Sequence, residues 1–252
     1  VELTGAGKDL HEICRPIVIQ FELIRENFRE KQAGKPRQIN LVTSYPTVNS
    51  ELAEALAVFR HAFPDVALSV VEVSASEATL AVQEGRGDFA IASMSVSELN
   101  QGIHELTKFP MVLLAPENHP LLRKKTVSVS DLGNHPLVLP SSDTETRRIL
   151  DTVFTRAKAE PVIALEGNNY GLLLEHALQS GTACVLAKSR RNEEAITEIL
   201  KKLFQLRDVT NLFGWEALVL IESRKSYNHD YLEAFSSIIR QAFKPDQELA
   251  SP

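Results

Sequence analysis

The sequence predicts an α/β protein of two lobes in series, preceded by one long helix. Three observations carry this. Short apolar runs alternate with helical patterns from Arg37 onward. They fall into two sets of similar size on either side of the break at Glu117-Asn118-His119-Pro120. A long apolar strand and an amphipathic helix then close the chain, placed to return to the first set.

The elements follow in order. Gly7 to Gln32 reads as one helix, because Leu10, Cys14, Ile17, Phe21, Ile24 and Phe28 recur at steps of three and four. Glu12, Glu22, Arg25, Glu26 and Arg29 flank this seam. Such a seam pairs with a second copy or packs on its own domain. Pro16 removes a hydrogen bond within it. Gly34-Lys35-Pro36 ends the segment. Ile39 to Val42 reads as a strand, and Asn49 to Phe63 as a helix with Leu52, Leu56 and Phe59 on one face. Ala67 to Val73 is a strand, Ser76 to Glu84 a helix, and Phe89 to Ala92 a buried strand. This β-α-β-α-β rhythm implies a parallel sheet. Met111 to Ala115 is a further apolar run.

The second set begins with a strand at Leu137 to Leu139 and a helix at Thr144 to Lys158. A strand at Val162 to Leu165, a helix at Tyr170 to Gln179 and a strand at Ala183 to Leu186 follow. Phe213 to Ile221 is the long closing strand, and His229 to Phe243 the closing helix. The expected organisation is therefore 1–34 for the helix, 35–115 for the first lobe, 116–212 for the second, and 213–252 returning to the first.

Composition narrows the function. A net charge of −6 over 252 residues opposes a domain built to grip phosphates. Cys14 and Cys184 are too few for a disulfide framework or a zinc site and read as free thiols. No run approaches the ~18 apolar residues of a membrane span. There is no Gly-x-Ser-x-Gly elbow, no P-loop and no His-Glu-x-x-His, so neither catalysis nor a cofactor nor a metal is expected. Glu84-Gly85-Arg86-Gly87-Asp88 offers glycines at the wrong spacing for phosphate and reads as a helix C-cap turn.

Hydroxyl-rich segments at strand ends stand out instead. Thr43-Ser44-Tyr45 follows the first strand, Ser93-Met94-Ser95 the third, and Ser141-Ser142-Asp143-Thr144 the first strand of the second set. In open α/β sheets, ligands bind outside the carboxyl ends of strands. Helix N–H groups beginning there favour anions, and hydroxyls add donors without charge. Each segment alone is more often just an N-cap. All three at strand ends point to a small carboxylate or other anion, met by Thr43, Ser44, Tyr45, Ser93, Met94, Ser141, Ser142, Asp143 and Thr144, with Asn168 beside them. Asp143, the one carboxylate among them, would cap the next helix or hold an amine of a zwitterion.

At these residues the sequence resembles the LysR-type transcriptional regulators. Leu3-Thr4-Gly5-Ala6-Gly7 is similar to the "L-T-x-A-G" closing that family's winged helix-turn-helix head. Phe59 to Val66 resembles "F-x-x-x-x-P-x-V", and Leu80 to Ile91 resembles "L-x-x-G-x-x-D-x-A-I". Leu113 to Pro120 resembles "L-V-x-P-x-x-H-P-L", and Arg147 to Phe154 resembles "R-x-x-L-D-x-x-F". Gly181 to Lys188 departs from the family's "G-L-G-I-A-x-L-P", with Ala183 for the second glycine and Lys188 for the proline.

The resemblance implies a two-lobed periplasmic-binding-protein-like (type II) effector domain preceded by a dimerisation helix. It implies crossing strands near Met111 to Ala115 and Phe213 to Leu220, and a small-molecule effector between the lobes. It further implies a dimer or tetramer paired through Leu10, Ile17, Phe21, Ile24 and Phe28. Promoter DNA would be reached through a head preceding Val1, and the setting would be cytoplasmic, with no membrane. Two alternatives share the scaffold. One is a periplasmic solute-binding protein, against which the helical seam argues. The other is an enzyme, which needs convergent titratable groups.

Overall fold

The computed structural model describes residues 37–44, 50–99, 102–189, 196–201, 204–223 and 230–243 throughout, and single positions between Thr4 and Phe21. Tyr45, Ile24 and Phe28 lie outside the described residues. The chain divides into two compact units. The first comprises residues 1–92, 102–104 and 220–252, and the second residues 93–101 and 105–219.

Unit 1 is built on three parallel strands. Strand β1 (Arg37–Ser44) lies between β2 (Val66–Val73) and β3 (Phe89–Ser95), with Arg37 opposite Val66 and Leu41 opposite Phe89. Helix α1 (Ser50–Ala62) joins β1 to β2, and α2 (Ala75–Glu84) joins β2 to β3. Ser74 caps α2 by accepting from the Glu77 N–H, and Gly85 ends it at φ 78°. Helix α8 (Asp230–Ala242) packs on α1. Phe235 meets Phe59 edge-on at 5.1 Å and Phe89 at 4.8 Å, an aromatic core beneath the parallel strands.

Unit 2 holds most of β4 (Ile103–Pro116), which is antiparallel to both β7 (Ala183–Ala187) and β8 (Phe204–Asp208). Strand β5 (Pro136–Pro140) is parallel to β7 and to β6 (Val162–Gly167). Helices cover both faces, as alternation along the strands requires. Met111, Leu113, Leu137, Leu139, Ala183 and Val185 face one core with Leu150 and Phe154 of α5 (Glu145–Arg156). Val112, Leu114, Val138, Cys184 and Leu186 face the other, with Leu173, Leu174 and Ala177 of α6 (Tyr170–Ser180). Burial pushes the Cys184 thiol up to about 12, so it packs as a hydrophobe. Two short helices, α3 (Pro120–Arg123) and α4 (Val129–Gly133), follow β4. A third, α7 (Thr210–Phe213), precedes β9 (Trp215–Glu222). Strands β3, β4 and β9 each give residues to both units.

Several sequence expectations are corrected. Strand β4 begins at Ile103 rather than near Met111, because His104, Glu105, Thr107 and Lys108 dilute a half-exposed alternating pattern. The closing strand begins at Trp215, since Phe213 belongs to α7. Thr43 and Ser44 end β1, and Ser93 to Ser95 end β3, rather than forming turns beyond them.

Candidate functional site

In unit 1, the end of β1 buries two hydroxyls in succession. Neighbouring strand residues face opposite sides, so Thr43 and Ser44 enter different environments. Thr43 is 0% exposed, and its Oγ1 is the one buried side-chain polar atom without a hydrogen-bond partner among the described residues. Leaving a buried hydroxyl unpaired costs about 1–3 kcal/mol, so such an atom calls for an explanation. Ser44 is buried as well.

In unit 2, the end of β3 is stitched to the first turn of α5. Ser93 and Thr146 both hydrogen-bond to Glu216 on β9, the Thr146 hydroxyl at 2.5 Å. The Ser95 backbone hydrogen-bonds to Glu145. Arg148 forks the Glu145 carboxylate at 2.7 and 2.6 Å and reaches Glu98, just after β3, at 2.7 Å. Ser93 thus stands beside the helix that follows Ser141 to Thr144. Met94 is buried on the opposite face of β3.

Electrostatics separate the two carboxylates. Glu216 is only 6% exposed, and burial pushes its carboxyl upward. The Thr146 and Ser93 hydroxyls pull it back, while Glu145 raises it further. Burial also raises Glu145, opposed first by the Arg148 guanidinium. Two buried charges near each other cannot both ionise cheaply. The fork favours the charged form of Glu145, whereas among the described residues the partners of Glu216 are the Thr146 and Ser93 hydroxyls.

Thr144, rather than Asp143, caps α5: its Oγ1 accepts from the Arg147 N–H, and its own hydroxyl donates to the Ser141 carbonyl at 2.7 Å. Ser142 and Asp143 are exposed, and Ser141 is half-buried. Asn168 is exposed, and the cap of α6 is Asn169, whose Oδ1 accepts from the Leu172 N–H at 3.0 Å. Arg147 is held away from solvent by Asp151, Glu166 and the Pro140 carbonyl, a structural anchor. Glu145 and Glu216 are not among the candidates legible in the sequence, where Asp143 is the one carboxylate beside the hydroxyls. Among the described residues no cluster of three or more His, Cys, Asp or Glu could hold a metal ion.

Residues 32–244 match the family described as the LysR substrate binding domain. The chain belongs to that family. It is 25% identical over 169 residues to the HTH-type transcriptional regulator CysB of Burkholderia cenocepacia, covering 65% of this chain and 53% of that protein. It is 24% identical over 261 residues to the HTH-type transcriptional regulator cbl of Escherichia coli K12, covering 98% of this chain and 80% of that one. Among solved structures, the effector binding domain of QuiR in complex with shikimate aligns at a TM-score of 0.59 with 16% identity. That alignment covers 82% of this chain and 97% of QuiR's. The chain spans about half the length of CysB. The LysR match favours a regulator's domain over a periplasmic transport protein. No helix among the described residues is long and apolar enough to cross a membrane.

Proposed function

We propose that this LysR-family chain is the ligand-sensing and oligomerisation part of a cytoplasmic DNA-binding transcriptional regulator, and that it catalyses no reaction. Its effector is small and polar, and a carboxylate or similar anion suits it best. DNA is bound through a winged helix-turn-helix head, and copies pair through the seam that includes Leu10, Ile17, Phe21, Ile24 and Phe28. The relatives' description as HTH-type transcriptional regulators supports the regulatory part of this reading. The shikimate held by QuiR, a carboxylate, supports the ligand class.

The observation that carries the ligand reading is the unpaired, fully buried Thr43 hydroxyl at the carboxyl end of a parallel strand. A ligand oxygen accepting its proton removes the penalty of the empty partner. Ser44 and Tyr45 belong to the same segment. In unit 2, Ser141 and Ser142 are the candidate donors; Ser93 and Thr144, whose protons go to Glu216 and to the Ser141 carbonyl, contribute lone pairs, with Met94, Asp143 and Asn168 as lesser contributors. An effector favouring one assembly state over another shifts the DNA-binding geometry by that difference in affinity.

The test is calorimetric titration with a panel of small carboxylates, shikimate included, and inorganic sulfate. Wild type is compared with Thr43→Val and Ser142→Ala. One anion class should bind, and each variant should weaken it by about ten- to a hundredfold. A ligand bound equally tightly by both folded variants overturns the placement.

A further inference from the structure

We infer that unit 2 carries a small-anion site built from residues the effector reading does not use: the ammonium groups of Lys108 and Lys188, on one sheet face beside the Trp215 indole, take a phosphate or sulfate group.

The register brings the two lysines together. Met111 of β4 stands opposite Ala187 of β7, and the Lys188 N–H donates to the Pro110 carbonyl at 2.8 Å. The antiparallel ladder therefore runs one residue beyond β7, with Lys188 opposite Pro110 and Lys108 two residues along from Pro110. Residues directly opposite, and residues two apart on one strand, share a face. It is the face that α6 packs on, because Val112 and Leu186 lie in the same core as Leu173 and Leu174. Diagonal neighbours of this kind lie about 7–8 Å apart, within the span of two long side chains. Trp215 joins them, with the Lys108 Nζ 5.0 Å from its ring centroid. Its successor Glu216 turns to the other face and meets Thr146 of α5.

All three side chains offer donors only. An ammonium has no acceptor, and an indole carries one N–H. Among the described residues, none of these side-chain N–H groups has an ion-pair or hydrogen-bond partner, whereas Lys124 and Lys201 of the same unit hold Asp131 and Glu198. Two like charges on one face repel, and an anion between them replaces repulsion with attraction. Lys188 is half-buried and Trp215 is 37% exposed, so part of the site is screened from water. A donor-only set selects an acceptor-only ligand, and two full charges favour a dianion over a monocarboxylate. Lysine meets phosphate as a point charge and needs no planar fork. The net charge of −6 opposes a long polyanion on the same face. Lys188 also stands where the LysR-type pattern has a proline, which would supply neither the ammonium nor the N–H given to Pro110.

Trp215 is the only tryptophan in the chain, so its emission reports this site. The experiment titrates the full chain with inorganic phosphate, sulfate and methyl phosphate at constant ionic strength, with sodium chloride as control, followed by fluorescence and calorimetry. An anion that draws the Lys108 ammonium off the ring should give a saturable emission change that chloride does not reproduce. Binding of methyl phosphate as well supports a phosphate carried on a larger molecule, and binding of phosphate or sulfate alone supports the free ion. Lys188→Met leaves Lys108 and Trp215 in place and should weaken binding about tenfold, and Lys188→Arg should restore most of it. Lys108→Met, read by calorimetry, should weaken it likewise. Lys125→Met removes a charge elsewhere in unit 2 and should bind as wild type does. Wild-type affinity in both Lys108→Met and Lys188→Met overturns the site, as does an emission change that follows ionic strength alone. Loss of binding in Thr43→Val, with both lysine variants unaffected, assigns the anion to the effector segment; it overturns this site and leaves the effector reading standing.

Discussion

The hydroxyl of Thr146 donates to the carboxylate of Glu216, 70 residues further along the chain, with both side chains buried. This contact joins the first turn of α5 to β9 inside unit 2. It also makes the fold sensitive to the charge on one glutamate.

Folding should therefore respond to pH through Glu216. Its ordinary value is 4.5, and burial raises it in the folded chain. The folded state binds that proton more tightly than the unfolded state. The stability it contributes is complete below the ordinary value and is lost as pH climbs through the raised one. Glu216→Gln should accordingly gain on wild type as pH rises from about 4.5 toward alkaline values. Urea midpoints of the two proteins across pH measure the difference. A difference that does not change with pH would refute the assignment.

His119 should act with the opposite sign. Its Nδ1 accepts the Leu121 N–H at 3.2 Å and caps α3, which requires that nitrogen to be unprotonated. Burial lowers it from 6.5, and His135, 5.3 Å away between ring centroids, lowers it further. The stabilisation is complete above 6.5 and is lost as pH falls through the lowered value. His119→Asn retains a capping acceptor and should flatten the acid limb. The imidazole resonances of His119, followed by NMR, should titrate below 6.5.

Gly87→Ala should destabilise unit 1 by about 1–3 kcal/mol. A Cβ at that position would lie 2.7 Å from Val42 Cγ2, and Val42 is buried in β1. Thermal or urea unfolding measures the cost. Adding Val42→Ala should recover part of it, and a strictly additive double variant would exclude the clash.

The helical seam makes a separate prediction. Leu10, Ile17 and Phe21 are helical and 61%, 61% and 67% exposed in the single chain. Replacing all three with serine should shift sedimentation toward the monomer at micromolar concentration. An unchanged species would move the pairing surface elsewhere.

Much of the fold was legible because local signals agreed with tertiary ones. Ser74 and Gly85 bracket α2, Thr144 opens α5 and Gly181 closes α6, so those boundaries could be read from cap chemistry. The candidate site was less legible. Ser93 and Ser95 looked like turn residues because hydroxyls usually mark strand ends. Here their partners are carboxylates distant in sequence, Glu216 and Glu145. A signal for Glu216 existed: one acid inside the apolar run from Phe213 to Ile221 has to be paired when that strand is buried. Which hydroxyls pair with it depends on contacts across 70 residues, and periodicity does not encode those.

The division of the chain between the two units sets the order in which each becomes whole as it leaves the ribosome. Apart from residues 102–104, unit 2 is one stretch, 93–219, whereas unit 1 needs residues from Leu220 onward to supply α8. Phe59 and Phe89 emerge early and wait for Phe235, so the aromatic core of unit 1 stays open while all of unit 2 is being made. Although synthesis usually favours the N-terminal domain, the second unit here is the first with its full complement of residues. A ribosome stalled shortly after residue 219 has emerged should carry a protease-resistant unit 2 and a protease-sensitive unit 1.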